Sequence, residues 1–124
     1  MKLYNLLQIR KILSSHTQDT MSTTLAYKIM KFIKQTESEE TFYTNKLQEI
    51  INKYAEKDEN GEYVREGDGV KIVEGKVNEC NSEINDLAAT DVEMPNIKFT
   101  LDELAPLSFT VADLYLLDDV IKED

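Results

Sequence analysis

The sequence predicts a mainly α-helical protein with a small β component (α+β). Its centre is an antiparallel long-helix hairpin tipped by a β-hairpin, with N- and C-terminal helices packed at the base. Three observations predict this. Residues 25–55 contain neither Gly nor Pro and carry apolar residues at helical spacing. All four glycines fall within 61–75, among acids and an asparagine. Two capping signatures, "TLDE" at 100–103 and "TVAD" at 110–113, open a short turn stopped before Pro106 and a last helix. At 124 residues the expectation is a single domain, 1–124, with its helical arm and hairpin tip covering about 36–88.

Taken in order, Leu3, Leu6, Leu7, Ile9, Ile12 and Leu13 define an amphipathic helix over about 3–14. "SSHTQDTMSTT" interrupts it with short polar side chains that favour turns and caps. The long helix follows, from Leu25 to about Ala55. Its first stripe reads as Ala26, Ile29, Met30 and Ile33, its second as Tyr43, Leu47, Ile50, Ile51 and Tyr54. Between them the heptad lands on Thr36 and Glu40, inside the polar "QTESEE". Such a helix spans roughly 45 Å at 1.5 Å per residue, so its distal half projects or the helix bends near 35–40. A return helix over about 76–89 covers the distal stripe with Val77, Cys80, Ile84 and Leu87. "DVEMPNIKFT" reads as extended, with Ile97 and Phe99 alternating against Asn96 and Lys98. The last helix runs from Val111 to about Lys122, its apolar face given by Val111, Leu114, Tyr115, Leu117 and Ile121, with Asp118 among them.

"KYAEKDENGEYVREGDGVKIVEGK", residues 53–76, is the one stretch that resembles a ligand loop. An EF-hand needs glycine at its sixth position and a bidentate acid at its twelfth. Counting from Asp58 puts Tyr63 and Gly69 there, so the calcium pattern fails. "GDG" lacks the Lys-Ser/Thr of a phosphate loop and has no strand leading into it. A β-hairpin accounts for the residues: 62–65 pair with 70–73 across "EGDG" at 66–69. Asn60 or Gly61 then serves as a left-handed cap on the long helix.

Net charge is −10 and unevenly spread. Residues 1–35 carry +5, from Lys2, Arg10, Lys11, Lys28, Lys31 and Lys34 against Asp19; the remainder carries −15. An acidic body repels phosphates over about a Debye length, roughly 10 Å, which argues against direct nucleic-acid binding. It suits a basic protein partner, although acidity also simply keeps small proteins soluble. Cys80 is the only cysteine, so no intrachain disulfide forms and a reducing compartment is expected. No apolar run approaches the length of a membrane span. Arg10 and Lys11 break the N-terminal apolar run, which reads as a helix rather than a signal peptide.

No catalytic constellation emerges, so a non-enzyme without cofactor or metal is expected. His16 is the sole histidine and sits in a polar turn. Cys80 lies on an apolar helix face, the position of a structural thiol. Residues 86–124 carry −8, and an acidic helix with an apolar face could imitate a nucleic-acid backbone; the plain alternative is a solvated face. The candidate interaction residues are Tyr63 and Arg65 on the hairpin and Asp113, Asp118 and Asp119 on the last helix.

"TTLAYKIMKFIK", "KYAEKDENGEYV", "DGVKIVEGK", "EINDL" and "FTVADLYLL" together resemble a family of small proteins encoded in phages and prophages of Gram-positive bacteria. The shared features are a long helix, a "KDENG" turn, a return helix and a "T-x-x-D-L" C-terminal helix. The resemblance covers most of 22–121, while "SSHTQDTM" lies outside it. It implies a phage origin and the host bacterial cytoplasm, and brings no catalytic residue. The function expected is therefore a non-catalytic interaction protein with an accessory or assembly role, binding a phage structural protein or self-associating through the long helix. The alternative is an acidic inhibitor of a basic host defence or nucleic-acid-processing protein, an anti-CRISPR-like mimic.

Overall fold

The computed structural model describes residues 1–122. They form helices α1 (Leu3–Ser14), α2 (Thr23–Tyr54), α3 (Val77–Ala88), α4 (Leu101–Leu104) and α5 (Val111–Leu117). A two-stranded sheet, β1 (Arg65–Glu66) and β2 (Gly69–Val70), lies between α2 and α3 in sequence, and a 3₁₀ turn (Asp118–Val120) follows α5. This is the mainly helical α+β architecture that the sequence predicts. The chain divides into two compact units. One comprises Met1–Glu40 and the chain from Asp91 onward, the other Thr41–Thr90.

The core of the first unit is a cluster of Leu6, Ile9 and Leu13 from α1, Leu25, Ile29 and Phe32 from α2, and Ile97, Phe99, Leu104, Leu107, Leu117 and Val120 from the C-terminal part. Phe32 and Phe99 are the largest side chains fully removed from water. Alternation along 96–99 puts Ile97 and Phe99 inside and leaves Asn96 and Lys98 outside, as expected of an extended segment. That segment is pinned in parallel to residues 120–122: Phe99 N–H donates to Val120 C=O at 2.8 Å and Lys122 N–H to Phe99 C=O at 2.7 Å. His16 packs its ring 4.7 Å from that of Phe109 and meets Asp19 Oδ2 at 2.5 Å.

The proximal stripe of α2 differs from the sequence expectation by a rotation about the helix axis. Leu25, Ile29, Phe32 and Thr36 face inward, while Ala26 and Met30 are exposed and Ile33 is half-buried. Both faces of this stretch are apolar, and the one carrying Leu25 and Phe32 offers the larger area for burial, so it takes the core. Thr36 is tolerated inside because its hydroxyl donates to Phe32 C=O at 2.8 Å and accepts from Arg10 Nη1 at 3.0 Å. The same guanidinium donates to Ile33 C=O and pairs with Glu40, fastening α1 to α2.

In the second unit, Tyr43, Leu47, Ile50, Ile51 and Tyr54 are all half-buried. From α3, Cys80 and Leu87 are buried and Ile84 half-buried, but Val77 at the first turn is exposed. Lys53 Nζ reaches Glu83 Oε1 at 3.1 Å. The Tyr54 hydroxyl and then Lys53 hold the Glu83 carboxyl below its ordinary range. Glu83 Oε2 has no donor in hydrogen-bonding geometry, so the influence of Tyr54 is one of proximity rather than of a formed bond.

The hairpin forms in the expected register, with Arg65 opposite Val70, but extends one pair further to Glu66 and Gly69. The connection is therefore the two residues Gly67 and Asp68, not four. Gly67 has φ +59° at the first turn position, as a type II′ turn requires. Beyond Val64 and Lys71 the two strands part, and the chain leaving α2 enters between them. Lys57 bridges Tyr63, and Ala55 bridges Ile72. Three backbone bonds close a ring there: Glu56 N–H to Lys71 C=O, Lys71 N–H to Val64 C=O, and Val64 N–H to Glu56 C=O, all 2.8–2.9 Å. Gly61 takes φ +80°, yet it does not cap the long helix, which ends at Tyr54. It closes a three-residue loop in which Asp58 N–H donates to Glu62 C=O. Asp58 Oδ1 accepts from the N–H groups of Asn60 and Glu62, an Asx-type turn that explains the "KDENG" run without a ligand.

Two outcomes follow. Truncating Phe99 to Ala removes the largest C-terminal core side chain and is expected to cost about 3–5 kcal/mol in urea denaturation. Burial, with Glu83 nearby, pushes the Cys80 thiol up in pKa. In a disulfide-exchange assay at pH 7.5 Cys80 should therefore react much more slowly in the native protein than in urea, where the thiol is exposed.

Candidate interaction face on the C-terminal helices

Each short C-terminal helix is set by its first turn. Thr100 Oγ1 accepts from Glu103 N–H at 3.1 Å and Thr100 N–H donates to Glu103 Oε1 at 3.0 Å. Thr110 and Asp113 make the same reciprocal pair at 3.0 and 3.1 Å. Both are complete capping boxes, with Asp serving in the second where Glu or Gln is usual. Glu103 is further anchored by Lys28, whose Nζ lies 2.9 Å from its carboxylate and also donates to Lys98 C=O. Lys28 also sits 5.8 Å over the Phe99 ring.

With the start of α5 fixed, its faces are decided. Leu117 and then Val120 point into the core, leaving Val111, Leu114 and Tyr115 outward. Val111 is 86% exposed, Tyr115 83%, Leu114 36%, and Leu101 on α4 61%. This corrects the expected inward face of Val111, Leu114, Tyr115, Leu117 and Ile121. Only Leu117 of these is fully buried; Ile121 is half-buried. The helix also ends at Leu117 rather than near Lys122, because the chain tightens into the 3₁₀ turn and then extends beside Phe99. "VADLYLLDDV" is apolar on more than one side, so some face must meet solvent. That was the available signal.

Two shallow grooves flank this apolar face. One, of about 600 Å³, is bordered by Leu101, Asp102, Leu114, Asp118 and Ile121, with Thr100 and Lys122 at its edge. The other, of about 570 Å³, is bordered by Asn5, Tyr115, Leu116, Asp118 and Asp119. Asp118 lines both. Exposed apolar side chains on a firmly capped helix, edged by carboxylates, suit a partner that is apolar in its middle and basic at its rim.

Asp118 and Asp119 are exposed beside this face, but on the 3₁₀ turn rather than on the last helix, because α5 ends at Leu117. Asp113 is on α5, but its carboxylate is engaged as a cap. Tyr63 and Arg65 belong to the second unit. The Tyr63 hydroxyl donates to Asn52 Oδ1 at 2.7 Å and Lys57 Nζ lies 5.5 Å over its ring, so the side chain is held locally. Arg65 is exposed on β1. Among the described residues, no group of three or more His, Cys, Asp or Glu side chains could hold a metal ion. Nor is any helix among them long and apolar enough to cross a membrane. Compared with known proteins, the chain matches no family model, no curated protein and no solved structure.

The Lys28 ammonium, chiefly, holds the Glu103 carboxyl below its ordinary range, with the Thr100 cap assisting. A carboxyl lowered on folding stabilises fully above its unfolded value, about 4.3, and loses that contribution as pH falls through the lowered value. Glu103→Gln keeps a capping partner and removes the charge. It should cost roughly 1 kcal/mol at pH 7, with the gap to wild type closing below about pH 4 in pH-resolved urea titrations.

Proposed function

We propose that this chain is a non-catalytic protein-binding protein of phage or prophage origin, acting in the host bacterial cytoplasm. Its working surface is the α5 face. The observation that carries this reading is the outward display of Val111, Leu114, Tyr115 and Leu101 beside Asp102, Asp118 and Asp119. Carboxylates steer a basic partner into encounter, and the apolar residues supply contact area once water is expelled. Of the two roles expected from sequence, this face favours the inhibitor of a basic host protein. An assembly role is favoured instead by a groove of about 450 Å³ in the second unit, where Phe42 stands 46% exposed near Ile50 and Leu87.

Replacing Tyr115, Phe42 or Tyr63 in turn by a photocrosslinking amino acid in host cells separates these. Crosslinking from 115 to a basic host protein, lost when Val111 and Leu114 are changed to Ser, is the expected result. Crosslinking to a virion protein from 42 but not from 115 would transfer the function to the second unit.

A further inference from the structure

Beside the acidic apolar face lies its electrostatic opposite. A groove of about 910 Å³ in the first unit is lined by Lys28, Lys31, Lys98 and Lys122, with Tyr27 and Ile97 among its apolar walls. Four of the chain's 14 basic residues therefore meet at one place on a protein of net charge −10; with Lys28 already paired to Glu103, the groove's charge comes from Lys31, Lys98 and Lys122. Tyr27 is 58% exposed, Lys31 is exposed, and Lys98 Nζ is tied to Asp119 C=O at 2.5 Å, which draws the basic rim toward the acidic one. Thr100 and Lys122 line both this groove and the one holding Leu101, Leu114 and Asp118, so the two surfaces share a border.

Adjacency of complementary surfaces has a geometric consequence. Rotation by 180° about an axis along their border, lying in the interface, sets the acidic face of one copy on the basic groove of another. The same rotation returns the second copy's acidic face to the first copy's groove. Each contact is then made twice, the signature of an isologous dimer. We infer that the basic groove receives the α5 face of a second copy of this chain, forming a two-fold dimer through the first unit. The inference rests on reading the α5 face as a binding face, and it names the occupant that face takes in the purified protein. Tyr115 and Val111 of one copy meet the apolar walls around Tyr27 and Ile97 of the other, while Asp118 and Asp119 meet Lys31, Lys98 and Lys122. A foreign basic partner would have to displace the second copy.

The test is sedimentation equilibrium of the full chain with two charge reversals. Wild type should sediment at twice 14.3 kDa in low salt, with the dissociation constant rising at least about tenfold in 0.5 M salt. Lys31→Glu alone and Asp118→Lys alone should each be monomeric, with helical circular dichroism unchanged. Mixed in equal amounts, they should recover a 1:1 dimer. The reversed groove of one then meets the reversed face of the other, and the second contact keeps both natural charges. A wild-type monomer at all accessible concentrations overturns the dimer but leaves the binding face standing if Tyr115 still crosslinks a foreign basic protein. A dimer that survives both single reversals puts the two-fold elsewhere and overturns the inference.

Discussion

The first unit depends on how Phe99 is held. Its ring is fully buried in the cluster, and its N–H and C=O both bond to one neighbouring segment, at Val120 and Lys122. A short extended segment has little stability of its own, because two hydrogen bonds do not offset the entropy of ordering it. It acquires that stability by being sandwiched among α1, α2 and residues 120–122. Once Phe99 is placed, its neighbours follow. Lys98 is turned outward toward Asp119 C=O, and Lys28 is drawn across the ring to Glu103. Thr100 then starts α4. The sign of charge on each side of Thr100 is thus a product of one buried aromatic and the alternation about it.

The elements were legible in the sequence where local chemistry marks their ends. Thr110 announces a helix start through its own hydroxyl, and that start appears where expected; Thr100 marks the expected short turn, which forms as the single helical turn α4. The helices over 3–14 and 77–88 likewise sit between clear polar breaks. What was not legible was rotation. The α2 stretch 25–33 and the stretch 111–121, which holds α5 and the 3₁₀ turn, are apolar on more than one side, and periodicity alone cannot choose between faces of similar hydrophobicity. The choice was made by partners distant in sequence: Phe99, Leu104 and Leu107 for one, α1 for both.

The candidate site was legible in part for the same reason. Asp118 and Asp119 follow the last buried leucine, so their exposure could be read from the chain. The outward display of Val111 and Tyr115 could not, since it follows from which side of α5 faces the core. Asp113 and Tyr63 show the converse. Each looked free as a side chain type, and each is engaged by a neighbour: a threonine amide for one, Asn52 and Lys57 for the other. The lysine groove escaped the linear reading because its members come from three separate segments, 23–31, 96–100 and 122.

The ring of backbone bonds joining residues 56, 64 and 71 bears on how this protein can change over generations. Main-chain atoms make all three bonds, so none of the three depends on the identity of the side chain at 56, 64 or 71. The fixed points are instead Gly61, Gly67 and Gly75, whose φ values of +80°, +59° and +85° exclude most other residues although no atom crowds the place a Cβ would occupy. In this segment the inheritable information therefore lies in the spacing of three glycines, together with the Asp58 carboxylate that closes the Asx turn and the buried Ala55, and the exposed positions between them are free to diverge.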